Sequence, residues 1–135
     1  MAFFDWDEKY RVGIMSIDQQ HKKLFDLISN FYETIRQKET KRAMSEVLQG
    51  LLEYAETHFS TEENYMRKHR YPLYERHAAQ HAEFIEKATD LQARFQSGAL
   101  VIPIEIANFS KDWLSSHVLG EDQRYAPFFH ENGLA

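Results

Sequence analysis

The chain contains no cysteine, which excludes disulfides, thiolate nucleophiles, thiolate-held iron–sulfur clusters and thiolate zinc sites together. Any metal must therefore be held by His and carboxylate side chains. Proline and glycine are scarce, at three and five of 135 residues, so the chain has little punctuation and favours a few long elements. No apolar run approaches the roughly 20 residues needed to cross a bilayer. Residues 1–14 read MAFFDWDEKYRVGI and carry Asp5, Asp7 and Glu8 where a secretory leader needs a basic start and an apolar run. Neither export nor a membrane partner is expected, and the cytoplasm is the expected location. Lys and Arg are outnumbered by Asp and Glu, 16 to 21, for a formal charge of −5. With no basic stripe to neutralise phosphates, nucleic acid is not an expected partner.

What is present is a folding sequence, 43% hydrophobic and 14% aromatic, of a length suited to one compact core. Its apolar residues recur at helical spacing. Asp18 is a plausible helix cap, followed by His21, Leu24, Ile28, Phe31 and Ile35 in steps of three and four. A second seam runs through Met44, Leu48, Leu51, Ala55, His58, Glu62 and Tyr65, and a third through His77, His81, Phe84, Ala88, Leu91 and Phe95. A fourth carries Ile106, Phe109, Trp113 and His117 before Gly120 and an aromatic tail at Tyr125, Phe128 and Phe129 that reads as an irregular end. The expectation is a single all-α domain over 1–135, an up-down-up-down antiparallel four-helix bundle with helices at about 18–38, 41–68, 72–96 and 103–120. An arm over 1–17, rich in aromatics at Phe3, Phe4, Trp6 and Tyr10, should pack on it.

Seven histidines are present, and their placement matters more than their number. His58 and Glu62 are four apart on one helix and His77 and His81 four apart on the next, so each pair projects from one face about 40° apart. Both faces are apolar seams. Burying these groups without partners costs several kcal/mol, and a shared positive centre removes that cost. His21 adds a ligand from the first helix, and His117 with Asp122 adds two from the fourth. A spacing of five rotates Asp122 about 140° from His117 on a regular helix, so this pair requires a π-type turn, for which Gly120 offers backbone room. Two six-coordinate ions served by five His, two bridging carboxylates and a bridging oxygen are left with one open position. That suits reversible capture of a small diatomic ligand on a redox metal, and iron fits better than four-coordinate zinc.

The set DQQH at Asp18–His21, HFSTE at His58–Glu62, HAAQH at His77–His81 and HVLGED at His117–Asp122 resembles the hemerythrins, in particular the single-domain bacterial ones. The resemblance spans nearly the whole chain and agrees in residue type, spacing and order at four separate elements. It implies two iron ions, one held by His77, His81 and His117 and the other by His21 and His58. Glu62, Asp122 and an oxo or hydroxo group would bridge them, with dioxygen bound reversibly at the His21/His58 iron. It also implies that Leu24, Phe59, Trp113, Leu114 and Val118 line the oxygen pocket, and it gives Tyr125 a family counterpart. Nitric oxide and small anions are further candidate ligands.

The leading expectation is a non-enzymatic oxygen carrier, store or scavenger. The alternative is a di-iron oxidase, peroxidase or nitric oxide reductase using the same residues. Ferritin-like oxidases mostly use more carboxylates, whose anionic oxygens favour higher-valent iron. His69 and His130 fall outside the set and read as surface residues, and Glu63 reads as exposed because it projects about 100° from Glu62.

Overall fold

The structure is a computed structural model that describes residues 3–98 and 102–135. It is helical throughout, with α1 at Met15–Arg36, α2 at Lys41–His69, α3 at Tyr74–Gln96 and α4 at Pro103–His117. A π-helical turn, Val118–Asp122, runs directly into a short α5 at Gln123–Glu131. α1 packs on α2 and α4, and α3 on the same two helices. Short connections make sequential helices antiparallel neighbours, so the fold is a four-helix bundle. No helix among the described residues is long and apolar enough to cross a membrane.

Local chemistry sets the helix ends. The Thr40 hydroxyl accepts from the Ala43 amide and caps α2, while Pro103 opens α4, where its missing N–H is not needed. α1 begins three residues ahead of Asp18, which is therefore not its cap. Instead the buried Asp18 carboxylate reaches back and accepts from the amides of Val12 and Gly13 at 2.9 and 3.1 Å, pinning the arm to the first turn. Gly13 makes this bend with a φ of +81°, and a Cβ there would meet the His130 ring at 2.9 Å. The arm packs as its composition implies, with Phe4 stacked on Phe25 at 3.8 Å and Phe3 on Tyr32 at 4.1 Å. The first two arm residues lie outside the described ones.

The bundle has two apolar regions. The larger is built on Leu24, Phe25, Ile28, Phe31, Leu48, Leu51, Phe84, Ala88, Leu91 and Ile106 and fills most of the bundle. The smaller gathers Val12, Ile14, Ile17, Met66, Tyr71, Tyr125 and Phe129. The aromatic tail is thus a helix, because α5 lays Tyr125 and Phe129 against the arm and the end of α2. In α4 the fully inward side chains are Ile106, Ala107, Ser110, Leu114 and His117. Phe109 and Trp113 are half-buried on its flank and pack on Phe84, so the helix is rotated relative to its sequence seam. The bulk of two aromatic rings is accommodated at the α3–α4 edge, leaving the narrow centre to Ala107 and Ser110.

The π-helical turn is where the five-residue spacing requires one, but the reason assigned to Gly120 is corrected. Gly120 has no positive φ, and a Cβ on it would meet nothing within 4 Å. The turn is held by what Asp122 faces, not by glycine freedom. Gly120→Ala should therefore keep the fold and raise unfolding free energy by about 0.5 kcal/mol, measured by urea denaturation. A loss of stability would show that the turn needs glycine.

Candidate metal centre

At one level of the bundle every long helix directs at least one polar side chain inward: His21 from α1, His58 and Glu62 from α2, His77 and His81 from α3, and His117 from α4, joined by Asp122 from the π turn. All seven are buried. Their ligand-capable atoms form two groups, each within a span of 4.8 Å: Glu62, His77, His81, His117 and Asp122, and His21, His58, Glu62 and Asp122. The two carboxylates belong to both groups. Asp122 divides between them, with Oδ1 lying 3.0 Å from His77 Nε2 and 3.2 Å from His117 Nε2, while Oδ2 lies 3.1 Å from His21 Nε2. Glu62 Oε1 is 3.2 Å from His81 Nε2 and 3.6 Å from His58 Nε2, and its Oε2 accepts from the Tyr125 hydroxyl.

The outer ring nitrogens decide what the inner ones can do. His58 Nδ1 donates to Gln20 Oε1 at 2.7 Å, His81 Nδ1 to Glu63 Oε2 at 2.8 Å, and His117 Nδ1 to Gln80 Oε1 at 3.0 Å. These acceptors place a hydrogen on each Nδ1, so in the neutral rings the Nε2 lone pair faces inward. Yet His117 Nε2 lies 3.0 Å from His77 Nε2 and 3.1 Å from His81 Nε2. Facing lone pairs at that distance repel unless a proton or cation stands among them. His21 Nε2, His58 Nε2, Glu62 Oε1 and both Asp122 oxygens are buried without a hydrogen bond. A cation with nitrogen and oxygen ligands is the group that satisfies such a set, so these residues fit a metal pair.

Electrostatics give the same answer. Burial pushes both carboxylates toward the neutral form, but the surrounding imidazoles hold Glu62 and Asp122 below the ordinary carboxylate range. Burial opposes protonation of His21 and His77, yet Asp122 and Glu62 outweigh it and raise them to about 9 and about 10. His81 is raised on the same balance, by Glu62 and Glu63. His58 goes the other way, to about 3, because burial exceeds the pull of Glu62. Burial and the two nearby carboxylates hold the Tyr125 phenol well above its ordinary range, so it remains a hydrogen-bond donor. Protons on the histidines thus offset the buried carboxylates of the metal-free centre.

Of the residues expected around a small ligand, Leu24, Phe59, Leu114 and Val118 are buried and Trp113 is half-buried beside them. Phe59 stacks on the His81 ring at 3.9 Å and Trp113 on the His117 ring at 4.5 Å. Glu63 is not free on the surface; its side chain is 22% exposed and bound to His81. His69 is half-buried beside Phe129, whereas His130 is exposed and donates to the Gly13 carbonyl. Gln20, Gln80 and Glu63 bond to rings of the cluster and are not among the residues expected from the sequence. Each neighbours a predicted ligand in sequence and so projects toward the adjacent helix, but spacing within one helix does not reveal which ring it meets.

Residues 12–129 match the family model described as the hemerythrin HHE cation binding domain. A bacteriohemerythrin of Stenotrophomonas maltophilia is 32% identical over 127 residues, covering 93% of this chain and 81% of its own length. One from Methylococcus capsulatus is 28% identical over 128 residues, covering 94% and 97%. The crystal structure of a wild-type hemerythrin superposes with a TM-score of 0.87 at 28% identity, covering 93% of this chain and 97% of that one.

The charge balance predicts how the metal-free protein responds to pH. The folded pKa values of His21 and His77 lie above the unfolded value of 6.5, so their stabilisation is fully present below about pH 6.5. It is lost as pH rises through 9 to 10, where Glu62 and Asp122 are left uncompensated. His58 adds an opposite loss as pH falls from 6.5 toward 3. Urea unfolding of metal-free protein should therefore show maximal stability near pH 6.5 and a fall of several kcal/mol by pH 10, which metal loading abolishes. A flat profile above pH 7 would contradict the protonation of these two rings.

Proposed function

The chain belongs to the hemerythrin family, and on that premise we propose that its buried centre holds two iron ions and binds dioxygen reversibly, as a carrier, store or scavenger without catalytic turnover. The observation that carries this reading is the sharing of Glu62 and Asp122 by both ligand groups. Two groups that hold the same pair of carboxylates are suited to two adjacent cations, not to one. His77, His81 and His117 would hold one iron and His21 and His58 the other, with Glu62, Asp122 and an oxo or hydroxo group as bridges. The poorer histidine complement of the second group leaves room there for an external ligand.

An iron pair supplies reversible two-electron exchange with dioxygen. The residues of the chain do the rest. Gln20, Glu63 and Gln80 hold three of the imidazoles in one tautomer and orientation. Tyr125 fixes Glu62 through Oε2. Phe59 and Trp113 stack on two of the imidazoles, and with the buried Leu24, Leu114 and Val118 they would give the centre an apolar surround that keeps water from the metals and slows irreversible oxidation. Five imidazoles with two carboxylates form a donor set that is largely neutral, which favours the lower oxidation state and so release of the ligand over turnover.

The test is anaerobic reconstitution with ferrous iron, followed by oxygen and then an argon purge under visible spectroscopy. The expected result is two irons per chain and an oxygen-dependent charge-transfer band that fades on purging. Fewer than two irons, immediate oxidation without such a band, or repeated turnover of peroxide or nitric oxide would overturn the reading.

A further inference from the structure

The three histidines with a partner on Nδ1 are supported in a regular relay. Gln20 of α1 holds His58 of α2, Glu63 of α2 holds His81 of α3, and Gln80 of α3 holds His117 of α4. Two of the three acceptors are neutral amides of similar reach, and one is a carboxylate. Among the described residues Glu63 has no Lys or Arg within ion-pair distance, its one such contact being His81. Phe59 lies flat on the same ring, with an interplanar angle of 8°, and shields one face from water, so the Glu63–His81 bond lies in a medium of reduced dielectric.

We infer that Glu63 is a positioning residue that acts through His81, its carboxylate making His81 the strongest electron donor of its three-histidine group and biasing that metal position toward the higher oxidation state. The inference rests on the di-iron reading above. A carboxylate that accepts from Nδ1–H raises the basicity of Nε2, strengthening its bond to a cation, and does so more for the more highly charged ion. An amide in the same place aligns the ring but lends no charge. The two ligand groups therefore differ in their outer support as well as in histidine number: among the described residues, the one carboxylate that bonds to an Nδ1 of these rings belongs to the group with three imidazoles. The asymmetry holds the electron-rich position at the three-histidine group, which has fewer places for an external ligand.

Glu63→Gln keeps the acceptor oxygen and removes the charge, so it separates donation from alignment. In the iron-loaded protein its midpoint potential, measured against redox dyes, should rise. The metal-free protein should bind ferrous iron about tenfold more weakly in competition with a chelator, with its thermal midpoint little changed. Gln80→Glu in the natural background is the converse variant and should lower the potential. Combining the two substitutions returns one carboxylate to the same group through His117 and should restore the potential most of the way. An unchanged potential and iron affinity in Glu63→Gln, or no restoration in the double variant, would overturn the inference while leaving the di-iron reading intact. If the unsubstituted protein fails to load two irons, both fall together.

Discussion

Glu62 and Asp122 lie with essentially no exposure among five imidazole rings, and an unpaired carboxylate in such a place costs several kcal/mol. That cost is tolerable only if positive charge is always at hand. Without metal it comes from protons on the surrounding histidines, His21 and His77 among them, and bound cations would take the place of those protons. The π-helical turn answers to the same need. A regular helix would carry Asp122 away from His117, whereas the widened turn brings the carboxylate to the point where α1, α3 and α4 converge.

The rest of the bundle positions these groups. The larger apolar region sets the helices around the long axis, and the smaller one clamps the arm and α5 over the end that contains Tyr125. Between them, the relay of Gln20, Glu63 and Gln80 ties each helix to a ring on the next. The proposed metal pair would add bonds to residues from all four long helices and, by binding the folded state in preference, would contribute stability as well as chemistry. Aromatic rings stacked on His81 and His117 restrict these imidazoles further.

Much of this was legible in the sequence because helical periodicity and ligand spacing are properties of single helices. The steps of three and four through His58, Glu62, His77 and His81 placed polar groups on apolar seams, and the five-residue gap from His117 to Asp122 demanded a local widening. What depends on how one helix is rotated against another was not legible. Trp113 and Phe109 continue the α4 seam by spacing, yet they sit on its flank because two rings do not fit at the narrow centre. Glu63 reads as solvent-facing on α2 alone, and only the packing of α3 beside it brings His81 within reach. Asp18 resembles a cap until the arm folds back and offers two amides to its carboxylate. Gly120 attracted an explanation that its ordinary backbone angles do not support.

Glu62 and Asp122 belong to both candidate ligand groups, and in the proposed di-iron centre each would serve both metal positions. Calorimetric titration of the metal-free protein with ferrous iron under anaerobic conditions tests it, comparing the natural chain with Asp122→Ala. Two binding steps are expected in the natural chain and a weakening of both in the variant. Loss of one step with the other unchanged would contradict it, because Asp122 would then belong to a single ion.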